Sequence, residues 1–544
     1  MNEPESPFVV GPPKTASTGP AAGALATAVD EAPLRRSSKS SMFRRKAVAR
    51  KPLPAAERWI LGLVTMTVLM VSVSSFVLQI ALPTVLRHFH SSTLASTWVL
   101  LTPSLISTCL LVTCGRVADM FGRRHMFLLG LAVYTGSAVL LGFAPSVWAL
   151  IGLEAVQAVG AAMLLCNTGA IVASMFNGAR LNYAMGVYLA GVSVAQLVGP
   201  SLGGFIAEGI GWRWIFWTQV PLGLICLGLG FVHLRRLPPR IERTRAMDYL
   251  GAALMSGALL SLLIGMSSVQ SNGLVSWQVG AGIAGALALF PLVYVAERRA
   301  ADPVLPLHLF GNRQFLLANL SGFLNVMPRF TSAVLVGLYF QSVSGDSAME
   351  AGLKIVPLPI GVTLASILTD RIARSLGQRH SATIGSVVMV AGLISLLLSL
   401  TGQWSYPSIA VALFVLGVGV GVFSTINSSM IFGESPDHET GAVNGVRLTV
   451  MNVGGSIATA GGLAIATSSL PIDLRSKFYQ ATLKEHQYLD LLHIGFVWAF
   501  VVMVAAVMVS GMFTLLIRAR PTAAQQPRKA DGPPCTAPAA GSPG

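Results

Sequence analysis

The sequence predicts an all-α polytopic membrane protein with fourteen transmembrane helices. Three observations carry this. Charged residues are only 11% of the 544-residue chain, against roughly 25% in an ordinary soluble protein. Hydrophobic residues are 53%, and the mean hydropathy is +0.67. Apolar runs then recur from Trp59 to Ile517, and each is near the roughly 20 residues a helix needs to cross a bilayer. Barrel strands would be about ten residues long with strict alternation. In lipid the backbone must satisfy itself, which leaves helices. This composition excludes a disulfide-rich secreted domain, a collagen and a disordered chain. The net charge of +15 does not point to nucleic acid, because the basic residues cluster between the apolar runs and in the tails, as topology signals do.

In chain order, residues 1–58 are rich in Pro, Ala and Ser. They carry Arg35, Arg36, Lys39, Arg44, Arg45, Lys46, Arg50 and Lys51 with no acid among them. No apolar stretch precedes Trp59, so this is not a cleavable signal but a disordered, basic cytoplasmic tail. The apolar runs follow at 59–82, 96–114, 126–144, 147–173, 182–207, 214–234, 249–270, 276–296, 315–340, 352–370, 381–400, 407–432, 441–467 and 493–517. Alternate loops are rich in arginine: Arg116, Arg123 and Arg124, then Arg180, then Arg235 to Arg245, then Arg298, Arg299 and Arg313, then Arg371, Arg374 and Arg379. These loops are assigned to the cytoplasm, which with an even span count places both termini there. The tail at 518–544, with Arg518, Arg520, Arg528 and Lys529, agrees. The acidic loop 433–440 dissents, and the mixed charge of 468–492 weakens the contrast. Ala, Gly and Arg usage points to a bacterial inner membrane. The five cysteines form no CxxC pair and are odd in number, so neither a disulfide framework nor a metal site is expected. His88 and His90 read as residues of a solvated loop.

The most informative segment runs from Gly115 to Arg124. Gly115 and Gly122 permit close helix approach and a tight turn. Asp119 offers an acceptor to Arg116, to Arg123 or to a helix N-terminus. With Arg124 these residues form either a latch between helical bundles or a plain basic loop. The fifth span carries Gly191, Gly199-Pro200 and Gly203-Gly204, in which the proline removes a backbone hydrogen bond and the glycines admit a neighbour. Trp212-Arg213-Trp214-Ile215-Phe216 and Pro221-Leu222-Gly223 follow, and further on Gln341 to Pro357 with Gly345, Ala351-Gly352 and Pro357.

Together these segments resemble the major facilitator superfamily, and within it the drug:proton antiporters with fourteen spans. The first segment is similar to G-x-L-A-D-R-x-G-R-R/K, with Val117 for leucine and Met120 for arginine. The fifth-span glycines resemble the antiporter motif G-x-x-x-G-P-x-x-G-G. The resemblance covers about 59–517. It implies two pseudo-symmetric six-helix bundles, 59–234 and 315–517, with an inserted helix pair and its loops at 235–314 between them. It also implies a midplane substrate cavity and export of amphipathic or hydrophobic molecules by alternating access. The energy source would be the proton gradient, with no cofactor, no metal and no catalytic residue. The partners would be a small-molecule substrate, protons and the lipid bilayer around a monomer. A decayed copy of the first motif lies at Asp370, Arg371, Gly377 and Arg379.

Two departures matter. The family's first-span aspartate is Ser74 here, and its asparagine is Gln79. The fourth-span arginine linked to proton coupling is Glu154, a reversal of charge. Charges at membrane depth cost roughly 2.5–3.5 kcal/mol at a helix centre and mark function. Glu154 is therefore the candidate proton site, with Asp119 second. Arg329 and Arg447 are candidates to act on Glu154 or on an anionic substrate group; the alternatives are a fixed ion pair with Glu154 and, for Arg447, snorkelling to the interface. Gln79, Gln157, Asn325, Arg329, Asn427 and Arg447 are the candidate cavity residues; Gln157 lies three positions from Glu154 and shares its helix face. A second transport reading is a facilitator, or an exporter of an organic anion or endogenous metabolite, with altered or no proton coupling. A membrane enzyme lacks a visible catalytic cluster, and direct ATP use lacks a P-loop. A ligand sensor with a transporter-like fold remains open and would differ by showing no flux.

Overall fold

A computed structural model describes residues 54–89, 93–176, 179–236, 248–269, 273, 276–300, 302–305, 307–342, 344–402, 405–433, 439–470 and 489–517. The expected tails fall outside these residues, apart from 54–58. The described chain is helical throughout its spans: α1 (Ala55–Phe89), α2 (Thr93–Phe121), α3 (Arg123–Leu141), α4 (Val147–Met175), α5 (Ala179–Phe205), α6 (Trp214–Trp217), α7 (Gln219–His233), α8 (Tyr249–Ser267), α9 (Trp277–Arg299), α10 (Leu307–Gly311), α11 (Arg313–Ser342), α12 (Ala348–Ile355), α13 (Pro357–Leu376), α14 (Gln378–Thr401), α15 (Tyr406–Gly433), α16 (Thr440–Ala466) and α17 (Leu489–Leu516). Fourteen stretches are long and apolar enough to cross a membrane; α6 with α7 makes one, and Glu350–Leu376 across α12 and α13 makes another. The protein is a multi-pass membrane protein.

Helix ends follow local chemistry. The first span starts at Ala55 rather than Trp59, because Ala55, Ala56 and Glu57 are good helix formers placed directly after Pro54. Ser146 caps α4 by accepting the Ala149 N–H at 3.2 Å, and Asp248 caps α8 through Gly251 at 2.8 Å. Ser347 and Glu350 form a reciprocal capping box at α12. Between α2 and α3 the chain turns on a single residue, Gly122, at φ 95° and ψ 126°. Gly377 does the same between α13 and α14, at φ 81° and ψ 159°. A side chain is strained in that region, and the two turns share this geometry.

Helices α1 to α7 pack as one bundle and α11 to α17 as a second. The main contacts between them are α2 against α16 and α5 against α13, with α4 against α16 and α5 against α15 adding to the seam. The inserted helices α8 and α9 cross where Gly265 and Gly282 meet backbone to backbone. Ser261 Oγ donates to the Gly282 carbonyl at 3.0 Å across the same crossing. Helix α8 lies against both α2 and α16, and Ser256 Oγ donates to the Cys109 carbonyl at 3.2 Å. Helix α8 therefore rests on the seam between the bundles, and α9 packs on α8.

Candidate functional site

The end of the bundle that carries the Gly122 turn is closed by backbone contact between the halves. A Cβ on Gly115 would strike the Gly441 carbonyl, and one on Gly445 would meet the Leu111 carbonyl and Val112 Cα. On the other pair, a Cβ on Gly186 would strike the Ser366 carbonyl. Asp119 completes the seal. Its Oδ1 accepts the Gly441 N–H at 3.1 Å and its Oδ2 the Ala442 N–H at 2.9 Å, so it sits on the N-terminus of α16, where the helix dipole favours an anion. Arg123 donates to Asp119 Oδ1 through Nε at 3.1 Å and through its terminal nitrogen at 2.9 Å. Arg116 turns away to Asp302, 3.5 Å distant, in the segment after α9. Arg124 keeps a buried Nε without a partner.

The second half repeats this chemistry. Asp370 pairs with Arg374, four residues on, as Asp119 pairs with Arg123. The sequence placed a decayed copy of the first motif at Asp370, Arg371, Gly377 and Arg379; helical spacing makes Arg374 the partner of Asp370 within it. Gln378 Nε2 donates to Asn182 Oδ1 at 3.3 Å, from α14 to the start of α5.

Deeper in the seam lies a polar bridge that sequence reading named only in pieces. Asn444 on α16 donates to the Leu165 and Cys166 carbonyls of α4 at 2.9 and 2.8 Å. Its Oδ1 accepts from Arg447 Nε at 3.2 Å and from a terminal nitrogen at 3.0 Å. The other terminal nitrogen of Arg447 reaches Ser428 Oγ at 3.0 Å and Met451 Sδ at 3.6 Å, with Tyr188 of α5 nearby. Arg447 is 2% exposed, so it does not snorkel. Its partners are neutral, and it forms no ion pair with Glu154 among the described residues.

Glu154 belongs to a separate cluster inside the first bundle. It is 3% exposed, and its buried Oε1 has no hydrogen-bond partner. Tyr134 on α3 lies within electrostatic range of Glu154 and close to Ser74, the residue in place of the family aspartate. Gln157 Nε2 donates to the Tyr134 carbonyl and to Gln219 Oε1, both at 3.4 Å. The structure thus gathers Ser74, Tyr134, Glu154, Gln157 and Gln219 from α1, α3, α4 and α7. The side chain of Gln79 lies outside the described residues.

The remaining cavity candidates meet in the second bundle. Asn325 and Arg329 of α11 and Asn427 of α15 line one small cleft, together with Ser424, Ser428 and Met451. Asn325 donates to Ser386 Oγ at 3.3 Å and to Ser510 Oγ at 3.0 Å. Ser321 Oγ donates to Asn427 Oδ1 at 3.3 Å. Arg329 is 8% exposed and joins no carboxylate among the described residues. The fifth-span motif serves packing: Gly191 lies against Thr65 and Gly199 against Phe76, both on α1, and Gly203 is buried. Helix α5 continues through Pro200 to Phe205 and then widens into a π turn at Ile206–Ile210. The surroundings of Pro200 and Gly204 lie outside the described residues.

Known proteins share this plan. The chain is 26% identical over 363 residues to the multidrug transporter protein MdtP of Bacillus subtilis, covering 66% of each. It is 26% identical over 402 residues to the tetracenomycin C resistance and export protein of Streptomyces glaucescens, covering 73% of each. The crystal structure of the human organic anion transporter MFSD10 superposes with a TM-score of 0.60 at 15% identity, covering 85% of this chain and 100% of that one. This last likeness concerns the fold alone. The profile of the Major Facilitator Superfamily matches residues 64–459, and fourteen spans fit its drug:proton antiporter branch; the chain is a transporter that belongs to the major facilitator superfamily.

Proposed function

We propose that the protein is a secondary active exporter of amphipathic or hydrophobic small molecules, driven by inward proton flow through alternating access. The observation that carries this is the Asp119 carboxylate seated on the first backbone N–H groups of α16. It is a reversible, geometry-dependent closure between two bundles at one end. Opening that end costs these bonds and the glycine contacts beside them, while nothing inside either bundle need change. The arginine-rich loops assign the latched end to the cytoplasm, so the state described is closed inward. The drug-exporting relatives support the direction of transport and the character of the substrate.

Glu154 is the proton-loading group in this account. It is buried, its Oε1 has no hydrogen-bond partner, and among the described residues it joins no ion pair, so a proton can come and go without breaking one. Asp119 has both oxygens engaged by the latch and serves closure. The test is proteoliposomes holding the purified protein, an imposed pH gradient and a lipophilic dye. Dye movement that follows the gradient and stops when an ionophore collapses it is the expected result; movement indifferent to the gradient refutes proton exchange.

A further inference from the structure

We infer that the cleft in the second bundle is an anion subsite, in which Arg329 holds a carboxylate or similar oxyanion group on an amphipathic substrate. This rests on the transport reading above and names the substrate class for it. The two membrane arginines differ in what they have left to give. Arg447 spends Nε and both terminal nitrogens on Asn444, Ser428 and Met451. Arg329 donates to no protein acceptor among the described residues; its Nε is buried without a partner, and its nearest ring, Phe330, lies 5.9 Å away.

A guanidinium does not shed its charge in a protein. Buried without a counter-ion it is costly, and at membrane depth such a group marks a substrate or ion path. Among the described residues no acid meets it. The ion pairs among the described residues involve Asp119, Asp302, Glu57, Glu439, Asp346 and Asp370, none of them with Arg329. The second arginine, Arg447, bonds the cleft residues Ser428 and Met451, and its partners are neutral. A planar, forked cation over a small polar floor fits an oxyanion, which takes two parallel N–H bonds. Val326, Val420 and Phe423 form the apolar part of the same lining. A lipophilic cation has the opposite requirement and would face the charge of Arg329 unpaired.

Three C10 amphiphiles distinguish the cases: decanoate, decanol and decylammonium. Binding to the full-length protein in nanodiscs is read as competition against a fluorescent fatty acid and as a shift in unfolding temperature. The expected result is that decanoate binds and the other two compete weakly. Arg329→Gln should weaken decanoate roughly 10- to 100-fold, the range for losing a charge-assisted hydrogen bond. Arg329→Lys should recover part of it, keeping charge without the fork. Equal binding of decanoate and decanol, or unchanged decanoate binding in a well-folded Arg329→Gln, overturns the subsite. Flux in proteoliposomes separates this from the transport reading. Export of a lipophilic cation without carboxylate binding leaves the transporter standing and removes the subsite. Carboxylate binding lost in Arg329→Gln, with no flux of any probe, keeps the subsite and removes the transport reading.

Discussion

Asp119 and Gly441 are 322 positions apart in the chain, and the carboxylate of one accepts the backbone N–H of the other at 3.1 Å. That bond joins the last turn of α2 to the first turn of α16, and so one bundle to the other. Around it, Gly115 and Gly441 leave no room for a methyl group. The closure thus combines a charge on a helix N-terminus with backbone contact, and either component can be removed separately.

Asp119→Asn removes the charge while keeping the shape. A hydrogen bond to a charged group contributes about 1.5–3 kcal/mol, so the ratio of closed to open should fall roughly tenfold or more. Cys114 is a native reporter, buried beside the latch. In a variant with Cys114 as its sole cysteine, maleimide labelling should accelerate on Asp119→Asn. An unchanged labelling rate would mean that the carboxylate does not hold this end shut.

Gly445→Ala should block closure by sterics alone, since its new Cβ would meet backbone at Leu111 and Val112. Transport is expected to fall sharply with the protein still folded, and Cys114 labelling should rise as in Asp119→Asn. Gly136→Ala, on the same kind of helix but with open space at its Cβ, is the matched control and should be near neutral. Comparable transport in the two variants would contradict the packing argument.

Asn444→Ala removes the side-chain bonds between α16 and the Leu165 and Cys166 carbonyls of α4, and leaves Arg447 Nε and one terminal nitrogen without their acceptor. Leaving buried polar groups unpaired costs about 1–3 kcal/mol each. The unfolding temperature should drop and the latch should open more readily. A variant as stable as the parent would show that these groups find other partners.

The fold was legible because hydropathy acts locally: each span has to be apolar whatever it packs against, and fourteen runs became fourteen spans. The latch residues were legible from Gly115 to Arg124, where glycine and charge share one short segment. What Asp119 touches was not legible, because Gly441 and Ala442 contribute backbone N–H groups that carry no side-chain signature. The pairing of Asp370 was within reach, since counting four residues along the helix leads to Arg374 rather than Arg371. The grouping of Ser74, Tyr134 and Glu154 depends on how α1, α3 and α4 pack, which no local pattern specifies. For the same reason the sequence could not tell the committed Arg447 from the free Arg329.

Proton movement in everted membrane vesicles, energised by respiration, tests the central claim most directly. The protein and its Glu154→Gln variant are challenged side by side with lipophilic cations, neutral drugs and amphipathic carboxylates. The account predicts substrate-triggered proton release with the parent protein and none with Glu154→Gln, although the variant folds and closes its latch. Release of equal size from both would remove Glu154 as the coupling group and contradict the account.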